Sequence, residues 1–235
     1  MEKVRYLDPP PMPELLDGPP ARGRVLVVAP HPDDELIGPG GTLLLHRDAG
    51  DPIAVVVLTD GGGGTSGGDA AAYRATRESE TREASRRLGA ELVEFLGFPD
   101  GTRARAEDLP VVVGRLREVF ERFGPEVVYA PHPGEVHADH HVASLAVSHA
   151  LVGAPGSIRA FGYEIWTALT ARWVVDVSAV MPEKLAIARC YRSQLRETDL
   201  LHFFGGLNAY RAVYLPKGAR YGEAFCELPS DGSGS

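Results

Sequence analysis

The sequence has few cysteines, no long apolar run and no excess of basic charge, and each shortage rules something out. Only two cysteines, Cys190 and Cys226, occur in 235 residues. That is too few for a disulfide framework and fits buried thiols in a reducing compartment. The longest apolar run is Ile53-Ala54-Val55-Val56-Val57-Leu58, far short of the ~20 residues a membrane helix needs. The start, Met1-Glu2-Lys3-Val4-Arg5-Tyr6, lacks the apolar core of a signal peptide. Lys and Arg number 24 against 32 Asp and Glu, a net charge of −8 with no basic run. Nucleic acid and anionic membrane are therefore disfavoured as main partners. The expectation is a soluble, cytoplasmic, single-domain protein without a membrane span.

What the chain does have is alternation. Residues 1–23 carry Pro9-Pro10-Pro11, Pro13 and Pro19-Pro20, which exclude helix and central strand. They read as an extended arm, packed on the domain or on another subunit, and so leave a homo-oligomer open. From Arg24 onward, β-branched apolar runs at 24–29, 53–59, 92–96, 127–130 and 157–163 read as strands. Between them, 40–47, 70–88, 108–123 and 139–152 read as helices. Repeated strand–helix alternation predicts a Rossmann-like, doubly wound α/β fold, its mostly parallel sheet covered by helices on both faces. One domain over 24–229 accommodates it. Residues 173–177 read as a further strand and 182–195 as a helix, with 207–215 and 222–228 irregular and 230–235 a disordered tail.

Two polar clusters follow core strands. Val25-Leu26-Val27-Val28-Ala29-Pro30 runs into His31-Pro32-Asp33-Asp34-Glu35, and Val127-Val128-Tyr129-Ala130 into Pro131-His132-Pro133-Gly134-Glu135-Val136-His137-Ala138-Asp139-His140-His141. Five of the eight histidines lie in these stretches. Parallel strands place both clusters on one rim, where ligands of open α/β sheets bind. So many ionisable groups beside a core strand are costly unless a cation or a reaction uses them. A His and an Asp three residues apart, joined by a distant His, form a two-histidine, one-carboxylate set with an open position. Catalytic zinc uses such a set, and so does iron(II). Isolated histidines such as His46, His149 and His202 read as surface or satisfied core residues. The glycine-rich stretch 61–68 suggests a mobile loop over the site. Gly38-Pro39-Gly40-Gly41 lacks the spacing of a dinucleotide loop and carries no nucleotide site.

His31-Pro32-Asp33-Asp34-Glu35, then Gly40-Gly41-Thr42, with His137-Ala138-Asp139-His140 later, resembles the LmbE/PIG-L-like N-acetylglucosaminyl deacetylases. Arg77 and Glu80 match that family's Arg-x-x-Glu helix, and Pro99-Asp100 its Pro-Asp turn. The likeness continues more loosely through Tyr163-Glu164-Ile165-Trp166, Lys184, 191–194 and 208–211. Ala138 stands where the family often has proline. The resemblance implies zinc held by His31, Asp34 and His140, with Asp33 as general base. It implies His137 as the group that stabilises the oxyanion or protonates the leaving amine. Asp139 then orients His137 or caps the following helix. Arg77, Asp100 and His132 are the expected substrate contacts, Glu135 flanks the site, and Glu35 reads as structural. The plain alternative for Arg77 is an intrahelical pair with Glu80. The implied activity removes an N-acetyl group from an N-acetylglucosamine-containing small molecule. Two rivals remain: a zinc amidase cleaving another acyl group, of the mycothiol-conjugate type, and a non-catalytic sugar-binding α/β protein.

Overall fold

A computed structural model of the chain describes residues 11–64, 69–101, 109–154 and 157–229. The expected lid lies partly, and the expected tail wholly, outside the described residues. Of the arm, Glu14–Leu16 forms a short strand, β1, at one sheet edge, where flanking prolines are tolerated. Then come β2 (Val25–Ala29), α1 (Asp34–Ile37), α2 (Gly40–Asp48), β3 (Ile53–Thr59), α3 (Ala70–Arg87) and β4 (Ala90–Phe98). They are followed by α4 (Leu109–Phe123), β5 (Val127–Pro131), α5 (Ala138–Leu151) and β6 (Arg159–Tyr163). The final part contains β7 (Trp173–Asp176), α6 (Met181–Ala188), α7 (Arg192–Leu195), α8 (Leu200–Arg211) and β8 (Gly222–Glu227).

The sheet order is β1-β7-β8-β6-β5-β2-β3-β4. Every pairing is parallel except those of β8, which runs antiparallel to β6 and β7. From β2 the chain steps outward through β3 to β4, then returns to β5 on the other side of β2 and steps out to β6. Strand order therefore reverses between β2 and β5, and there the crevice beyond the strand ends opens. β2, β3 and β5 are buried along their whole length, as near-continuous apolar runs require. Alternate side chains of β2 enter two cores. Val25, Val27 and Ala29 pack with residues of α2, α6 and α8, while Leu26 and Val28 pack with α4 and α5. The doubly wound α/β architecture follows directly. Among the described residues, no helix is long and apolar enough to cross a membrane.

The last third departs from expectation in three places. Residues 222–228, expected to be irregular, supply β8. Glu223 interrupts its apolar pattern because its buried carboxylate accepts from Lys184 Nζ at 2.8 Å, the Gly41 and Thr42 amides at 2.6 and 2.7 Å, and Thr42 Oγ1 at 2.7 Å. Residues 207–211, also expected irregular, belong to α8. Despite Gly205-Gly206 this helix persists, since Leu200, Phe204, Asn208 and Arg211 recur at helical spacing on its buried face. The single helix expected over 182–195 breaks after Ala188, where Cys190 and Tyr191 turn inward.

Lys184 is fully buried, and its ammonium also donates to Ile37 O at 2.9 Å and Asn208 Oδ1 at 3.0 Å. It therefore ties α6 to the end of α1. Glu223→Ala leaves that ammonium without its counter-charge, and the expected cost is about 3–5 kcal/mol in urea unfolding. Replacing Lys184 by Met in the same protein is expected to recover part of that loss. A single variant as stable as wild type would show that the pair contributes nothing.

Candidate active site

β2 leads through Pro30 into a turn whose sharpest residue is Asp33, at φ 138°, the one non-glycine residue with positive φ among those described. Such a backbone persists only where its surroundings over-determine it. Here Glu35 Oε2 accepts the Asp33 amide at 3.1 Å, and the Tyr191 hydroxyl donates to Glu35 Oε1. On the other side, Arg77 donates to Pro32 O at 2.8 Å and Gly61 O at 3.1 Å, with Nη2 3.4 Å from Asp33 Oδ2. Arg77 thus grips the turn around Asp33 and lies on a cavity wall. Glu80 accepts not from Arg77 but from Ser193, whose amide and hydroxyl donate to it at 3.0 and 2.6 Å.

β5 delivers the second cluster. His137 caps α5, its Nδ1 accepting the Asp139 amide at 3.3 Å. Asp139 is therefore not the cap, and its carboxylate meets His31. It lies 3.0 Å from His31 Nε2 and accepts the Gly101 amide at 2.9 Å. Asp100 Oδ1 lies 3.2 Å from the same His31 nitrogen, and Asp100 Oδ2 accepts the Gly63 amide at 2.9 Å. Asp34 Oδ2 sits 3.0 Å from His31 Nδ1 and 3.3 Å from His140 Nε2. The structure thus gathers His31, Asp34 and His140 around one carboxylate oxygen, with Asp100 and Asp139 behind His31. His132 lies elsewhere. Its Nδ1 accepts the Gly134 amide at 3.1 Å, its Nε2 lies 2.9 Å from Thr167 O, and it does not line the cavity. His141 is exposed, 3.1 Å from Pro133 O. His46 is a satisfied core histidine between Asp51 and the Tyr129 hydroxyl.

Glu135 emerges as more than a flanking residue. Its Oε1 accepts the amides of Ile165, Trp166 and Thr167 at 2.7, 3.0 and 3.1 Å, and its Oε2 lies 3.3 Å from His140 Nδ1. Burial alone would raise its pKa, but His140 and these amides hold it below the usual value. Against burial, Asp34 and Glu135 raise the His140 pKa to about 9; with a cation on its Nε2, an ionised Glu135 would keep the remaining ring proton on Nδ1. That Nε2 is buried with no hydrogen-bond partner, which suits a metal ligand.

The charges are strongly coupled. Burial alone would raise the Asp34 pKa, yet His140 and His31 drive it far down. Burial opposes the charged form of His31, but Asp100, Asp139 and Asp34 raise its pKa well above normal. Asp33, desolvated and near Asp34, is pushed up to about 7 despite Arg77. Burial pushes Glu35 up to about 8. In His137, burial and then the charges of His31 and His140 favour the neutral ring. Donor atoms of His31, His137 and His140 lie within 4.8 Å of one another, as do those of His31, Asp100 and Asp139. Buried carboxylates around paired histidines are the donor chemistry of a divalent cation such as zinc. The residues fit a metal.

A family model described as PIG-L: GlcNAc-PI de-N-acetylase matches residues 26–151, more than half of the chain and both polar clusters. The chain belongs to the PIG-L family. A diacetylchitobiose deacetylase of Thermococcus kodakarensis is 31% identical, the match covering 88% of this chain and 83% of the relative. A probable N-acetyl-alpha-D-glucosaminyl L-malate deacetylase 2 of Bacillus cereus is 30% identical, over 72% of this chain and 83% of the relative. The structure of N,N'-diacetylchitobiose deacetylase from Pyrococcus horikoshii, complexed with its inhibitor MPG, superposes with a TM-score of 0.76 at 25% identity, covering 88% of this chain and 84% of the other. Family membership accords with the metal-ready donor set.

A carboxyl group whose folded pKa is raised favours folding at low pH and loses that contribution as pH rises. In the metal-free protein Asp33 therefore becomes destabilising between its ordinary value of 3.8 and about 7. Asp33→Asn removes this titration. Across that window the metal-free variant is expected to gain on wild type by about 1 kcal/mol or more, read from urea midpoints of chelator-treated proteins. Parallel stability curves would sink the assignment.

Proposed function

We propose that the protein is a zinc-dependent deacetylase of the cytoplasm that removes the N-acetyl group from an N-acetylglucosamine-containing small molecule. The observation that carries the reading is the buried Nε2 of His140, which makes no hydrogen bond and lies 3.3 Å from Asp34 Oδ2, next to a cavity that Asp34 and His31 line. His31, Asp34 and His140 are the proposed ligands. Asp34 is preferred to His137 because its oxygen touches both other ligands, whereas one His137 nitrogen is already used at the helix cap. When bound, zinc polarises the acetamide carbonyl and lowers the pKa of water to roughly 7. The remaining roles fall to side chains. Asp33, held in its strained turn with a pKa near 7, takes the proton of the attacking water and returns it to the leaving amine. With Nδ1 accepting from the Asp139 amide, a neutral His137 carries its proton on Nε2, from which it donates to the developing oxyanion. Asp139 and Glu135 fix the rings of His31 and His140. Asp100 and Arg77 line the cavity where the sugar enters.

Two comparisons support the substrate. The named relatives act on compounds that share an acetylated glucosamine and differ in what it carries. Both cysteines are free thiols, which supports a reducing compartment.

The direct test is acetate release from a panel of N-acetylglucosaminides by zinc-loaded protein. Turnover is expected, to be lost on chelation and restored by zinc. Asp33→Asn is expected to retain stoichiometric zinc while kcat falls roughly 10²–10⁴-fold. Full activity in that variant would refute the base assignment, and a wild type that neither binds zinc nor releases acetate would refute the function. Glu135→Gln is expected to weaken zinc binding about 10–100-fold in chelator competition. Unchanged affinity would show that Glu135 merely braces the loop.

A further inference from the structure

The cavity beside the proposed metal ligands has a volume of about 590 Å³, whereas cavities for small ligands begin near ~300 Å³. Its wall has two kinds of lining. Loops after β2 and β4, together with α3, bring charged groups such as Asp33, Asp100 and Arg77. The segment after β6 and the helix α8 bring Ile165, Trp166, Leu200 and Phe203. Trp166 is 64% exposed and Phe203 36% exposed, although both line a concave site.

We propose that this apolar wall is a subsite for the group attached to the amino sugar, and that it takes an uncharged group with a flat apolar face, such as a second pyranose or an aryl ring. The inference rests on the deacetylase reading and narrows its substrate class. Trp166 is fixed in place: its amide is held by Glu135, and its ring packs on His137 with centroids 5.6 Å apart. An aromatic face there buries the apolar face of a sugar or aryl ring next to the reacting amide. Charge points the same way. Among the described lining residues, Arg77 is the only lysine or arginine, and its guanidinium already serves Pro32 O, Gly61 O and Asp33. His31 is enclosed by Asp34, Asp100 and Asp139. Among the described lining residues, no other Lys or Arg is present to pair with a carboxylate or phosphate, and Asp33 and Asp100 would repel one. Gln194 adds an uncharged contact. It lines the cavity, and its Nε2 donates to the Tyr73 hydroxyl at 2.8 Å.

Four compounds decide it with zinc-loaded enzyme: N-acetylglucosamine, N,N′-diacetylchitobiose, 4-nitrophenyl N-acetyl-β-glucosaminide and N-acetylglucosaminyl malate. The chitobiose and nitrophenyl compounds are expected to exceed the monosaccharide at least tenfold in kcat/KM, and the malate compound is not. Phe203→Ala is expected to shrink the chitobiose-to-monosaccharide ratio about tenfold, mainly through KM, and Phe203→Tyr to restore it. Preference for the malate compound, or a ratio unmoved by Phe203→Ala, overturns the subsite. If none of the four yields acetate, the deacetylase reading fails, and calorimetry with N,N′-diacetylchitobiose still reads the subsite. Binding at least tenfold weaker in Phe203→Ala supports it, and equal or absent binding overturns it.

Discussion

The parallel pairing of β2 with β5 is the contact on which the chemistry of this protein depends. Val25, Leu26 and Val27 stand opposite Val127, Val128 and Tyr129, so both strands end on the same rim and release their polar residues into one crevice. The pairing is secure because both strands are buried on both faces, and a slip would cost apolar contacts on each. Since the chain steps away from this seam in opposite directions, no crossover covers the strand ends. The first cluster meets the second at Asp34, between His31 and His140.

Bringing those groups together creates stress that neighbouring structure absorbs. Asp33 occupies an unfavourable backbone region and a desolvated site, and Glu35 behind it is wholly buried. Arg77 from α3 and Tyr191 from the segment before α7 hold this turn from opposite sides. Beneath α1, Lys184 binds the Ile37 carbonyl and Glu223 binds the start of α2. Glu135 spans two loops, joining His140 to the amides of Ile165, Trp166 and Thr167. That one carboxylate links the proposed metal ligand to the residue that shapes the apolar wall. The proposed ligand set and the proposed subsite therefore share a support.

Much of the fold was legible through period and punctuation. β2, β3 and β5 are uninterrupted apolar runs, and the helices between them end at glycine or proline signals. The missed elements have local patterns that disagree with their fate. β8 carries a buried glutamate whose partners lie on α2 and α6, and α8 contains two adjacent glycines. In each case a long-range contact outweighs local preference, and such a contact cannot be seen from a window of neighbouring residues.

For the site, the divide is equally physical. Sequence alone determined which residue types stand at the ends of core strands, because strand burial and the polar clusters are both local features. It singled out His31, Asp33, Asp34, His137, Asp139 and His140 as candidates, and the structure brings these side chains to one site. Only the tertiary structure decided who touches whom. It directed Asp139 to His31 instead of His137, Glu80 to Ser193, and His132 into its own loop. It turned Glu135 from a flanking residue into the partner of His140, and brought Phe203 from a distant helix to the cavity. Hydrogen bonds extend about 3 Å and are directional. Which carboxylate meets which imidazole therefore depends on how loops from separate strands converge, not on their order along the chain.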